Sequence, residues 1–188
     1  MKRTTTLISL FALLSVGANA QTRQLSAYPK GSRVLVAYFS ASGVTEQAAR
    51  TVARVVHGDL YAIRPAEAYT PADLDWTNRQ SRSSVEMNDP NARPTLADTD
   101  VKMNEYDVIY LGFPIWWYTA PRIIESFVDA YNLTGKMIIP FATSGGSTIQ
   151  RAVEELSKKY PDYKWTEGIM MNNTDEQALR QLLDRRAW

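Results

Sequence analysis

The sequence predicts an α/β chain of the doubly wound kind, a parallel sheet with helices on both faces. Three observations predict it. Short apolar runs rich in β-branched and aromatic residues recur along the chain, helical periodicity fills the gaps between them, and three of the following loops are crowded with glycine, hydroxyl and ring side chains. Nearly continuous runs read as strands covered on both faces, and their alternation with helices implies right-handed crossovers.

The runs, in order, are RVLVAYF at 33–39, LYAI at 60–63, DVIYLGF at 107–113 and MIIPFA at 137–142, with KWTEGIMM at 164–171 a less regular fifth. Helical spacing joins Val44, Ala48, Val52 and Val55, then Ile123, Ile124, Phe127 and Val128. It returns at Ile149, Val153 and Leu156, and finally at Ala178, Leu179, Leu182 and Leu183. Residues 64–105 break the pattern, being polar and holding Pro65, Pro71, Pro90 and Pro94. Pro71 behind Thr70 predicts a short helix there, ended by Asn88-Asp89-Pro90. An excursion of this length inside a compact domain marks a lid or a packed surface segment.

The chain has 188 residues, 45% hydrophobic and 22% charged, enough for one well-buried core. Its first twenty residues join a basic start, a ten-residue apolar run at 7–16 and Ala18-Asn19-Ala20, which predicts a secretory signal cleaved near Ala20 and an exported protein. Residues 21–32 then read as an N-terminal extension and 33–188 as a single domain. No run is long enough for a membrane span. The absence of cysteine excludes disulfides and thiolate chemistry. Without Lys2 and Arg3, 19 basic residues face 20 acidic ones, a balance that argues against nucleic acid as a partner.

In a doubly wound sheet, ligands sit beyond the carboxyl ends of the strands. The loop after the first strand carries Ser40, Ala41, Ser42, Gly43, Val44 and Thr45. Three hydroxyls, one glycine and a helix N-terminus suit an anion. A P-loop would need Gly-Lys-Ser/Thr and a dinucleotide fingerprint three spaced glycines, and neither is present. Two readings remain for this loop: a helix turn and cap, or a metal-free cradle for one monophosphate. The loop after the third strand holds Pro114, Ile115, Trp116, Trp117 and Tyr118, three large rings that cannot all enter one core. At least one is expected to line a slot for a flat ligand, the alternatives being packing under the excursion or a partner surface. Thr143, Ser144, Gly145, Gly146 and Ser147 follow the fourth strand; taken singly this is a common helix entry, and beside the other two loops its backbone N–H groups are expected to meet the polar edge of a ring system.

Together these loops resemble those of the flavodoxin family, over essentially the whole chain from residue 33. Ser40, Ser42, Gly43 and Thr45 match the family's phosphate loop. GFPIWWYTAPR, FATSGGS and the excursion YTPADLDWTNRQSRSSVEMNDPNARP are similar to the secreted bacterial flavodoxin-like subgroup. The resemblance implies strand order 2-1-3-4-5, noncovalently bound FMN and electron transfer, with an unidentified redox partner protein or small acceptor. An NAD(P)H-dependent quinone or nitro reductase and a flavin-free binding module of the same fold are the alternatives. The chain departs from the family in being nearly neutral rather than strongly acidic, and in lacking the tyrosine that often stacks on the flavin from the third loop. Stacking then falls to Trp116, Trp117 or Tyr118, and no residue is expected to act as a catalytic acid or base.

Other residues read structurally. His57 and Gly58 are expected to end the first helix, and Asp175, Glu176, Arg185 and Arg186 to complement the dipole of the last. Arg79, Arg82 and Glu86 pair along a surface or form a polar patch above the ligand edge.

Overall fold

The computed structural model describes residues 28–186. The expected signal at 1–20, and the extension up to residue 27, lie outside them. Within the described residues no helix is long and apolar enough to cross a membrane.

The chain builds β1 (Val34–Tyr38), α1 (Val44–Val56), β2 (Asp59–Ala62), α2 (Arg82–Asn88), a 3-10 turn, β3 (Val108–Pro114) and α3 (Arg122–Ala130). It continues with β4 (Met137–Thr143), α4 (Gln150–Lys159), β5 (Lys164–Trp165), β6 (Ile169–Met170) and α5 (Glu176–Arg185). The sheet is parallel throughout, in the expected order β2-β1-β3-β4-β5, and β6 also pairs with β4.

The period of two sorts each strand between two cores. Leu35, Ala37 and Phe39 face Ile123, Ile124 and Phe127 of α3 and Leu156 of α4. Val34, Val36 and Tyr38 face Val52 and Val55 of α1 and Leu179 and Leu183 of α5. Each fully buried side chain of this size contributes about 1.5–3 kcal/mol. Gly112 is required by packing: a Cβ there would lie 2.2 Å from the ring of Phe141 on the neighbouring strand.

Three expectations need correction. The second strand is not covered on both faces, since it lies at the sheet edge with Asp59 and Leu60 exposed. The fifth run is two strands, because the outer neighbour of β4 is interrupted opposite Pro140. The carbonyls of Ile138 and Ala142 accept from Thr166 and Met171 on that side, and Pro140, between them, has no N–H to offer. Lastly, His57 rather than Gly58 makes the left-handed turn that ends α1, with φ 53°. Gly58 instead packs against Val34, where a Cβ would lie 3.1 Å away.

The excursion is closed at its base, where Ala66 N–H donates to Thr95 at 2.7 Å and Ala97 N–H to Arg64 at 2.8 Å. The helix expected at Thr70 is a single turn. Asp73 accepts from the Thr70 N–H and hydroxyl, and further side-chain turns at Asp75 and Asn78 compete with helix continuation. The helix proper starts later, with Ser81 as its cap, and stops before Pro90 as expected. Arg122 secures its far end, donating to the carbonyls of Met87 and Asp89 at 3.1 Å each. Arg122 also pairs with Glu125, 5% exposed, which holds Arg93 and Lys159 as well. One buried carboxylate therefore ties the excursion to α3 and α4.

Candidate functional site

The strand order reverses between β1 and β3, so the loops after β1, β3 and β4 share one edge of the sheet. In the first loop Gly43 takes φ 87°, and α1 begins behind it with no side chain capping its first turn. None of the loop's hydroxyls caps α1, so its first helical N–H groups are left for another acceptor. The hydroxyl of Ser40 accepts from Gly43 N–H at 3.1 Å and holds the turn. A Cβ on Gly43 would meet no protein atom within 4 Å, so the space over the turn is open. Thr45 is buried and shares a 2.8 Å hydroxyl bond with Thr143, lacing the first loop to the end of β4. When Thr143 is the donor, Thr45 keeps its own proton for an anion.

The second loop is a tight hairpin. Trp116 and Thr119 exchange both backbone hydrogen bonds, at 3.0 and 2.9 Å, leaving Trp117 and Tyr118 as the two turn residues. Both have positive φ, 46° and 68°, as a type I′ turn demands. That turn ordinarily takes Asn-Gly, and a side chain in the left-handed region costs roughly 1–2 kcal/mol. The strain holds two large rings outward, Trp117 40% and Tyr118 63% exposed. Trp116 turns the other way, its ring edge-on to Phe39 at 5.6 Å and to Tyr69 of the excursion at 5.4 Å. Tyr69 is fixed in turn by Glu86, to which it donates, and by Arg82, whose guanidinium lies 4.2 Å over its ring. Burial and then the Glu86 bond push the Tyr69 phenol well above the ordinary range. Arg82 and Glu86 thus brace the aromatic wall from behind as a half-buried pair.

In the third loop, Asn172 lies just beyond β6 and extends its ladder with a side chain. It accepts from Ser144 N–H at 2.7 Å and donates to Ser144 C=O at 2.6 Å. The Ser144 hydroxyl accepts from Gly146 and Ser147 N–H at 3.2 and 2.8 Å. Three amides expected to face a ring are therefore held by the chain's own side chains. Gly145 N–H has no partner recorded among the described residues, and a Cβ at Gly145 would again enter open space.

Two adjoining cavities open on these loops. One of about 510 Å³ joins Ser42 and Val44 to Pro114, Ile115 and Trp116 and to Thr143, Ser144 and Gly145, with Asn172 and Asn173 beside them. The other, about 480 Å³, is reached from Ala41 and Ser42 past Trp117 and Tyr118, and its far wall is Leu74, Trp76 and Ser83 of the excursion. The structure thus brings the three loops together, with Ser40 on the β2 side and Gly146 and Ser147 behind Ser144. Sequence reasoning missed Asn172, Trp76 and Ser83. Trp76, a large ring in a polar segment, was the available signal; Asn172 offered none.

No lysine, arginine or acidic side chain lines either cavity. The uncapped turn and open Gly43 fit a phosphate bound by amides and hydroxyls, and the ring-lined slots fit a flat heterocycle. A doubly wound sheet with such a turn and an aromatic wall on its carboxyl edge defines a flavodoxin-like protein. The chain belongs to the flavodoxin family, which matches residues 33–186. It is 54% identical to a "putative flavoprotein" from Bacteroides eggerthii DSM 20697, covering 81% of this chain and 96% of that one with a TM-score of 0.80. A second such structure, from Bacteroides uniformis ATCC 8492, is 49% identical over 83% of this chain and 100% of that one, also at 0.80. A flavoprotein from Lactobacillus acidophilus NCFM in complex with FMN shares the fold, with 18% identity over 74% and 93% of the two chains and a TM-score of 0.60. An uncharacterized NAD(P)H oxidoreductase of Escherichia coli (strain K12), YcaK, is 27% identical over 90 residues, 47% of this chain, which spans only 41% of that protein.

Proposed function

We propose that the protein binds FMN noncovalently and passes electrons through it. The observation that carries this reading is the uncapped start of α1 behind a left-handed Gly43, open to solvent and flanked by hydroxyls without a lysine. Ser42 and the amides of residues 44 and 45 would hold the phosphate, and the loops at 114–118 and 143–145 would hold the ring. The bound flavin supplies the redox chemistry. The chain supplies orientation: the Ser144–Asn172 clamp fixes the ring-edge loop, and the strained hairpin presents Trp117 and Tyr118. A wall without charged side chains disfavours added negative charge on the ligand and so lowers its reduction potential. Titration with FMN, followed by flavin fluorescence, tests the reading; no saturable change at micromolar concentration rejects it.

A second reading, a nicotinamide-dependent reductase, is favoured by the local similarity to the Escherichia coli oxidoreductase. Steady turnover with NADH or NADPH separates it from a pure carrier. We further propose that the protein is one of the secreted members of its family, exported by residues 1–20. Mass spectrometry of protein from its native compartment tests this, the expected mature N-terminus being Gln21.

A further inference from the structure

We propose that the excursion adds a second ring-binding subsite to the groove, one that takes an uncharged planar aromatic molecule. The proposal rests on the flavin reading above, because it assigns the neighbouring cavity to the cofactor ring.

The 480 Å³ cavity shares Ser42, Pro114, Ile115 and Trp116 with the cavity beside the third loop, so the two are halves of one groove. The half beside Ser144 keeps the Gly145 N–H, without a partner among the described residues, free for a flavin heteroatom. The other half has an apolar wall from a different part of the chain: Leu74, Trp76 and Ser83. Its volume falls within the roughly 300–1,000 Å³ of small-molecule sites. Trp76 is 75% exposed and has no ring partner among the described residues, an unusual position for the largest side chain. Ser83 stands opposite in chemistry. It is 2% exposed, its N–H is spent on Asp73 C=O at 3.0 Å, and its hydroxyl has only a 3.5 Å contact with Ser81. That hydroxyl is a buried donor suited to a carbonyl oxygen on a ring.

The charge of the occupant follows from the lining. No ionised side chain lines this half, and Arg151, 6.0 Å over the Tyr118 ring, is already paired with Glu155 at 2.9 Å. A phosphate or sulfonate placed here would therefore give up hydration without gaining an unpaired cation. A neutral ring incurs no such loss and gains stacking on Trp76. The subsite therefore selects against dinucleotides and for small uncharged aromatics such as quinones.

The test is equilibrium dialysis of the oxidised protein, with and without FMN, against 1,4-naphthoquinone and its 2-sulfonate. Binding of the neutral compound at least tenfold tighter than the sulfonate is expected. Trp76→Ala should weaken naphthoquinone binding roughly tenfold and Ser83→Ala about threefold, while the FMN dissociation constant changes less than twofold. Equal affinity for the two compounds, or no binding of either, overturns the proposal. So does a Trp76→Ala variant that weakens FMN as much as naphthoquinone, since this half would then be the flavin's own ring site. Separate FMN titration of the same samples shows whether the flavin reading itself has failed.

Discussion

The side-chain amide of Asn172 takes both backbone groups of Ser144, accepting its N–H at 2.7 Å and donating to its C=O at 2.6 Å. This contact, 28 residues apart in sequence, continues the β4–β6 pairing one step past the end of the strand. Asn172→Ala removes two hydrogen bonds of about 0.5–1.5 kcal/mol each from the loop at the ring edge. Flavin affinity should fall roughly tenfold and stability by about 1–3 kcal/mol, as read by fluorescence titration and urea unfolding on the same samples.

The hairpin at 116–119 should trade stability for function. Replacing its turn residues by the pair the turn prefers, Trp117→Asn with Tyr118→Gly, relieves two left-handed side chains. The urea midpoint should hold or rise, by an increment on the order of 1 kcal/mol, while flavin affinity drops. A lower midpoint would show that the two rings support the fold rather than the site.

Glu125 should be the costliest single side chain among the charged residues to remove. It is buried and faces Arg93, Arg122 and Lys159. Truncation leaves these cations uncompensated, so Glu125→Ala should cost roughly 3–5 kcal/mol in denaturant unfolding. Limited proteolysis should then cut first within 64–105, the segment that this carboxylate tethers.

Acid should weaken the fold through carboxylates held below their ordinary range. Arg64 and then Tyr61 depress Asp98, and the Thr70 N–H and hydroxyl depress Asp73. A depressed carboxylate stabilises fully above its unfolded pKa of about 4, and that contribution fades as pH falls through the lower folded value. Urea midpoints should be level from pH 7 to about 5 and decline below about 4. Asp98→Asn should flatten part of that decline.

Much of this architecture was legible in the residues. Four strands could be read because each is an unbroken apolar run, and all three loops because hydroxyls, glycine and rings cluster just after those runs. The fifth run misled because Pro140 acts across the sheet, interrupting a distant neighbour between Trp165 and Ile169. Within the excursion, Thr70-Pro71 places the helix too early, because the competing turns at Asp73, Asp75 and Asn78 hold it to one turn and Ser81 starts it instead. Asn172 and Glu125 escaped for a different reason: their roles consist entirely of partners distant in sequence, which no spacing reveals.

The most direct test compares FMN with riboflavin, its dephosphorylated form, on the same protein. A cradle that binds the phosphate through charge-assisted bonds to the start of α1 should hold FMN about a hundredfold more tightly or better. Equal affinity for the two would contradict the phosphate assignment at residues 40–45, and with it the account of the site.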